Sequence, residues 1–151
     1  MTELSLAEFT DRSVMPAADI TDLETQMPGW VDRQIAAQVA EMYGRLRKRY
    51  TVPFSDPVPE VVKSWITKIV TRAAYLRRGV DPRDQQFASI DNMAKEAIAA
   101  IKEAADSKDG LYDLPLRQDT ASSGISQGEP MFYSEASPWD WTDVQAAKVY
   151  G

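Results

Sequence analysis

The chain has 151 residues, 44% of them apolar and 26% charged, with a formal net charge of −6. That is the size and composition of one soluble domain with room for a tail. It contains neither histidine nor cysteine, which excludes disulfides, thiolate chemistry, the commonest general base and the commonest transition-metal ligand.

No apolar run approaches the roughly 20 residues of a membrane span, and the N-terminus lacks the basic-then-apolar pattern of a signal peptide. The charge is unevenly spread. Residues 1–27 carry one Arg against six acids, residues 28–83 carry eleven Lys or Arg against five acids, and residues 84–151 carry five against twelve. A basic middle between acidic flanks has two readings. It is a nucleic-acid face, or it is the surface on which the acidic ends, or those of a neighbour, pack. The overall negative charge favours the second.

Taken in order, Ser5 followed by Glu8 has the form of a capping box for a short helix over 4–12, with Leu6 and Phe9 as its apolar edge. Residues 13–27 read as loop with an extra turn over 19–26, anchored by Val14, Met15, Ile20 and Leu23. A first long helix is predicted from Pro28, suited to a first helical turn, to Tyr50. Its apolar positions are Val31, Ile35, Val39, Met42, Tyr43, Leu46 and Tyr50, spaced by three or four. Gly44 inside it implies either close approach of a neighbouring helix or a small bend.

Pro53, Pro57 and Pro59 forbid helical continuation. They make an elbow over 47–59, in which Tyr50 and Phe54 are expected to bury their rings. A second long helix is predicted from Pro59 to Arg78, with Ser55 or Asp56 capping its approach and Gly79 stopping it. Its stripe is Val58, Val61, Val62, Trp65, Ile66, Ile69, Val70, Ala73 and Ala74. A third runs from Pro82, capped by Asp81, to Ser107, with Phe87, Ile90, Ala94, Ala97, Ile98, Ile101 and Ala105 on one face. The fold class is therefore mainly α: three long helices in a bundle, a short N-terminal helix and an extended C-terminal tail.

After Gly110 the character changes. Residues 111–116 form a short apolar extended piece, and 117–130 are polar, with the composition of a mobile linker. Met131, Phe132, Tyr133, Trp139 and Trp141 then concentrate aromatic surface. Such a segment after a linker is suited to docking, on the chain's own core or on a partner. The division is a helical domain over 1–116 and a linker with docking tail over 117–151.

Enzyme signatures are missing: there is no glycine-rich phosphate loop and no Gly-x-Ser-x-Gly. Glu96 and Glu103 lie among lysines on a solvated face. No catalytic residue, cofactor or metal is expected. Arg45, Arg47, Lys48 and Arg49 complement a helix C-terminal dipole, and with Arg77 and Arg78 they are candidates for contact with a subunit or with DNA. Lys63 and Arg72 read as polar-face residues or phosphate contacts.

The chain resembles the head–tail adaptor (head completion, connector) proteins of tailed bacteriophages. The resemblance rests on Phe9-Thr-Asp-Arg12, on Arg49-Tyr50-x-Val52-Pro53-Phe54 with Pro57 in the elbow, on Tyr75-Leu-Arg-Arg-Gly79, on Gly110-Leu-x-x-Leu-Pro115 and on Met131-Phe-x-Ser134. It implies a helical subunit of a ring, typically dodecameric, beneath the portal protein. Such a ring sits at the head–tail interface of the virion, extends the DNA channel with only non-specific proximity to DNA, and presents a surface for the stopper or tail-completion protein. It also implies assembly in the host cytoplasm and no membrane partner. A flexible C-terminal segment of that family reaches the portal or a neighbouring subunit; here it is longer and carries two tryptophans. The competing readings are a small helical DNA-binding or DNA-packaging accessory protein and, more weakly, a cytosolic regulator of the host.

Overall fold

A computed structural model describes residues 3–111 and 113–117. The described residues hold five helices and no strand: α1 Leu6–Arg12, α2 Ala17–Gln26, α3 Trp30–Leu46, α4 Glu60–Arg77 and α5 Gln85–Asp106.

The capping box opens α1 as expected. The Ser5 hydroxyl accepts from the Glu8 N–H at 3.3 Å while the Glu8 carboxylate accepts from the Ser5 N–H at 3.1 Å. Between α1 and α2, the Ser13 and Thr71 hydroxyls hydrogen-bond at 2.8 Å, fixing the first loop against α4. The extra turn expected over 19–26 is a full helix, α2, which begins at Ala17. Pro16 stands at its cap position, and the Pro16 carbonyl accepts from the N–H groups of Asp19 and Ile20.

The start of α3 also differs. Pro28 lies in the preceding turn rather than in the helix, and Gly29 follows it at φ 71, a left-handed conformation that suits glycine. The Glu24 carboxylate then reaches from α2 to accept the N–H groups of Gly29 and Val31, each at 2.7 Å. It satisfies donors that have no partner within the helix. At the other end α3 stops at Leu46, four residues short of Tyr50. Tyr50 is instead extended and pairs antiparallel with Leu116.

The elbow contains cis peptide bonds before Pro53 and Pro57. Neither Ser55 nor Asp56 caps α4. Pro59 holds the cap position, and its carbonyl accepts from Val62 and Lys63. Gly79, at φ 80, follows the end of α4. For α5 the cap is Asp84, not Asp81: its carboxylate accepts from the Gln86 N–H at 3.0 Å. Asp81 serves one turn earlier, accepting from the Arg83 N–H at 2.9 Å. Pro82 therefore belongs to the turn.

The core gathers around α4. Val62, Trp65, Ile66, Val70 and Ala74 are buried there, facing Val31, Ile35, Val39, Met42 and Leu46 of α3 and Ala94, Ala97, Ile101, Ala104 and Ala105 of α5. The three long helices touch one another pairwise, and α1 packs on α4 while α2 packs on α3. Alanine on α5 permits close approach of helix backbones, and burial of the larger side chains supplies about 1.5–3 kcal/mol each. Gly44 faces open space: a Cβ there would meet nothing within 4 Å. Of the two readings of Gly44, a close approach or a small bend, the close approach is absent. No helix among the described residues is long and apolar enough to cross a membrane. The described residues all belong to one compact unit.

Candidate functional site

Two features lie outside the plain helical core. The first is a knot where the end of α3, the elbow and the exit of α5 meet. Tyr50 is fully buried, and its hydroxyl donates to the Ala104 carbonyl at 2.8 Å while accepting from the Leu111 N–H at 2.8 Å. Arg49 adds bonds to the carbonyls of Ala104, at 3.1 Å, and Lys108, at 2.9 Å, the first in the last turn of α5 and the second two residues past its end. The exit segment then runs back along the elbow. Thr51 N–H donates to Pro115 O at 2.9 Å, and Arg117 N–H donates to Arg49 O at 3.0 Å. Leu114 is buried beneath this pairing. Arg117 also donates from its guanidinium to the Arg47 carbonyl at 2.9 Å.

Gly110 makes the knot possible. Its φ is 64, and a Cβ there would stand 2.6 Å from the Tyr50 hydroxyl and 2.9 Å from an Arg49 nitrogen. No other residue fits without displacing one of them. On the other side of the elbow, Phe54 is 5% exposed and meets Tyr43 edge to face, with centroids 5.5 Å apart. The Tyr43 hydroxyl accepts from the Phe54 N–H at 3.4 Å and donates to Glu3 at 2.9 Å. Burial, with Glu3 adding to it, pushes the Tyr43 phenol above its ordinary pKa. Pro53 and Pro57 are exposed on the outside of the bend.

The candidate basic residues separate into two places. Arg45, Arg47, Lys48 and Arg49 cluster at the elbow, while Arg77 and Arg78 stand at the far end of α4, roughly 27 Å along an 18-residue helix. Most are engaged within the chain. Arg45 pairs with Glu41 at 3.5 Å, Lys48 with Asp106, and Arg78 with Asp19 at 2.6 Å. Arg77 donates to the Met27 thioether at 3.1 Å. Lys63 holds Glu8 at 2.9 Å, and Arg72 and Lys95 share Asp91 at 2.5 Å each.

The carboxylates record these contacts. The Lys63 hydrogen bond, followed by the Ser5 N–H, holds Glu8 down at about 2. Lys95 and then Arg72 hold Asp91 below the usual range, and Lys48 does so for Asp106. Acids of the N-terminal helices and of α5 thus cover bases of the elbow, of α4 and of its C-terminal end.

The second feature is a cleft of about 220 Å³ beside α4. Its lining comes from Arg12 and Val14, from polar side chains of α4 between Ser64 and Thr71, and from Ile90 and Met93 of α5. Val14 is 56% exposed at its mouth. The cleft was not foreseen. Its only sequence signal is the pair Thr67 and Thr71, buried polar residues on α4. Met131, Phe132, Tyr133, Trp139 and Trp141 lie outside the described residues, as does all of the expected linker over 117–130 except Arg117. Glu96 and Glu103 are exposed, and no group of His, Cys, Asp or Glu among the described residues could hold a metal ion.

The profile of a family described as "Bacteriophage Mu, Gp36" matches residues 1–128. The chain belongs to the bacteriophage Mu Gp36 family. It is a phage protein, and the match takes in all five helices, the elbow and the exit segment. Comparison with curated proteins and with solved structures returned no match. The Mu Gp36 family assignment agrees with the phage origin implied by the head–tail adaptor resemblance. The aromatic residues from Met131 onward lie beyond the matched region.

Proposed function

We propose that this Mu Gp36 family protein is a structural subunit of the phage head–tail connector. In this reading, copies assemble as a ring, dodecameric as the resemblance implies, below the portal protein. The ring extends the DNA channel and presents the attachment surface for the stopper or tail-completion protein. It performs no catalysis and takes no cofactor.

The observation that carries the reading is the elbow. Arg49-Tyr50-x-Val52-Pro53-Phe54, the most specific part of the adaptor resemblance, is a rigid joint pinned to the end of α5 by Tyr50 and Arg49. A subunit that must hold a fixed shape in a ring needs such a joint more than a mobile enzyme does. The alternative, a DNA-binding or packaging accessory, draws less support. Lys48, Lys63, Arg72 and Arg78 are paired with carboxylates, and a base neutralised in this way contributes little to phosphate binding. The aromatic residues 131–141 supply a docking arm in this reading.

Co-sedimentation of the full-length protein with its portal tests the proposal. A heavier complex with several copies per portal is expected. Separate sedimentation of the two, together with tight, sequence-dependent retention of duplex DNA by the free protein, would replace the connector reading with the accessory one.

A further inference from the structure

Thr67 and Thr71, the buried polar side chains among the described residues, both line the cleft beside α4. Ser64 and Lys68, each half-buried, line it with them. Successive members of this set are three, one and three residues apart, so all four stand on one face of the helix. That face is polar, whereas the other buried positions of α4, from Val62 to Ala74, are apolar. Hydroxyls and an ammonium turned toward a cleft suit a polar ligand better than they suit helix packing.

Two of the four groups have partners. The Thr67 hydroxyl donates to the Lys63 carbonyl at 2.8 Å, and the Thr71 and Ser13 hydroxyls share a hydrogen bond of 2.8 Å. The Lys68 ammonium and the Ser64 hydroxyl, one turn apart, meet no partner among the described residues. The other cation of the cleft, Arg12, is neutralised by Glu60 at 2.7 Å. No carboxylate among the described residues lines the cleft. One uncompensated positive charge and one free hydroxyl therefore share the space with three apolar side chains, Val14, Ile90 and Met93.

We propose that the cleft is a binding site for a small carboxylate with an apolar body, aromatic or branched aliphatic. The carboxylate accepts from the Lys68 ammonium and the Ser64 hydroxyl, and the body lies against Val14, Ile90 and Met93. The volume suits this class: about 220 Å³ exceeds the cavity of order 150 Å³ that holds a benzene ring. A bare inorganic anion would leave the apolar side chains wet, and a neutral hydrocarbon would leave the ammonium without a counter-charge. The lining residues come from the end of α1, the first loop, α4 and α5. The site is independent of the ring reading, and its success or failure leaves that reading as it stands.

The test is a titration of the full-length, nitrogen-15-labelled protein followed by amide shifts in NMR. Three probes separate the contributions: benzoate has charge and ring, benzyl alcohol the ring alone, and acetate the charge alone. Benzoate should move the amides of residues 64–71 and 90–93 and saturate, with the other two probes at least about tenfold weaker. This comparison on wild type needs no substitution. Lys68→Gln should then weaken benzoate about tenfold while leaving benzyl alcohol unchanged, and Lys68→Arg should restore most of the loss. Ser64→Ala should weaken benzoate by a smaller factor. Circular dichroism melts matching wild type establish that each variant folds. Absence of saturable benzoate shifts overturns the proposal, as do shifts confined to residues outside the cleft. Equal affinity for benzyl alcohol reduces the cleft to an apolar hollow, and equal affinity for acetate reduces Lys68 to a surface charge; either result also overturns it.

Discussion

The Tyr50 hydroxyl donates to the Ala104 carbonyl across 2.8 Å, joining residues 54 positions apart in the chain. One side chain thereby ties the start of the elbow to the last turn of α5. Because the same oxygen accepts from the Leu111 N–H, it also sets the path by which the chain leaves the bundle. Tyr50→Phe should leave a buried carbonyl and a partly buried N–H without this partner. The expected loss is about 1–3 kcal/mol, read as a lower midpoint in urea with an unchanged slope. An unchanged midpoint would mean that the hydroxyl is not a structural tie.

Gly110→Ala attacks the same knot from the other side. A Cβ would stand 2.6 Å from the Tyr50 hydroxyl, at a φ of 64, so the variant should lose on the order of 1–3 kcal/mol. The two changes share a contact, and the double variant should be less destabilised than the sum of the singles. Strict additivity of the urea midpoints would contradict the geometry.

Phe54→Ala removes a buried ring that meets Tyr43 edge to face. Truncation of a buried aromatic costs about 3–5 kcal/mol, and the thermal midpoint should fall accordingly. A midpoint within a degree or two of wild type would contradict this placement of the elbow.

Gly44→Ala should act in the opposite direction. The position is helical and open, with nothing within 4 Å of an added methyl, so the isolated protein should gain up to about 1 kcal/mol. Destabilisation of the free monomer would show that a neighbouring surface had been missed.

Acid should weaken the fold through Glu8. Its folded pKa of about 2 lies below its ordinary 4.5, chiefly because of Lys63. A depressed carboxylate contributes stability that is complete above the unfolded pKa and is lost as pH falls through the folded one. The loss should therefore develop between about 4.5 and about 2. Asp91 and Asp106 are shifted in the same direction. Lys63→Met should flatten the dependence of the urea midpoint on pH across that window, and an equally steep profile would exclude the Glu8 pair as a cause.

Local patterns in the sequence carried much of this fold. The Ser5–Glu8 box, the stripes from Val31 to Leu46 and from Val62 to Ala74, and the proline elbow each repeat or cap within a few residues. What was not legible depends on partners distant in the chain or on competition between similar residues. Glu24 caps α3 across a turn, with no sequence pattern to mark it. Asp81 and Asp84 both precede the third helix, and only the backbone path decides that Asp84 caps it. The pairing of Thr51 with Pro115 joins segments 64 residues apart, so the extended exit was visible and its partner was not. The cleft is assembled from three separate stretches, and Val14, its exposed member, reads as one more apolar anchor in isolation. The bases show the same limit: their number was plain in the sequence, whereas their engagement by Asp19, Glu8, Asp91 and Asp106 required the fold.

Loss of the aromatic arm should separate folding from assembly. Deleting residues 128–151 leaves all five helices and the exit segment in place, so the helical circular dichroism signal and its melt should persist. The truncated protein should no longer join portal-bearing capsids. Normal joining, or failure to fold, would contradict a docking role for the arm.

The central claim is that this Mu Gp36 family protein forms a ring below the portal. Electron microscopy of portal-bearing capsids, with and without the full-length protein, tests it most directly. The account predicts a ring of added density coaxial with the portal, in repeated subunits around an open channel. Portal vertices that look the same with and without the protein would contradict it.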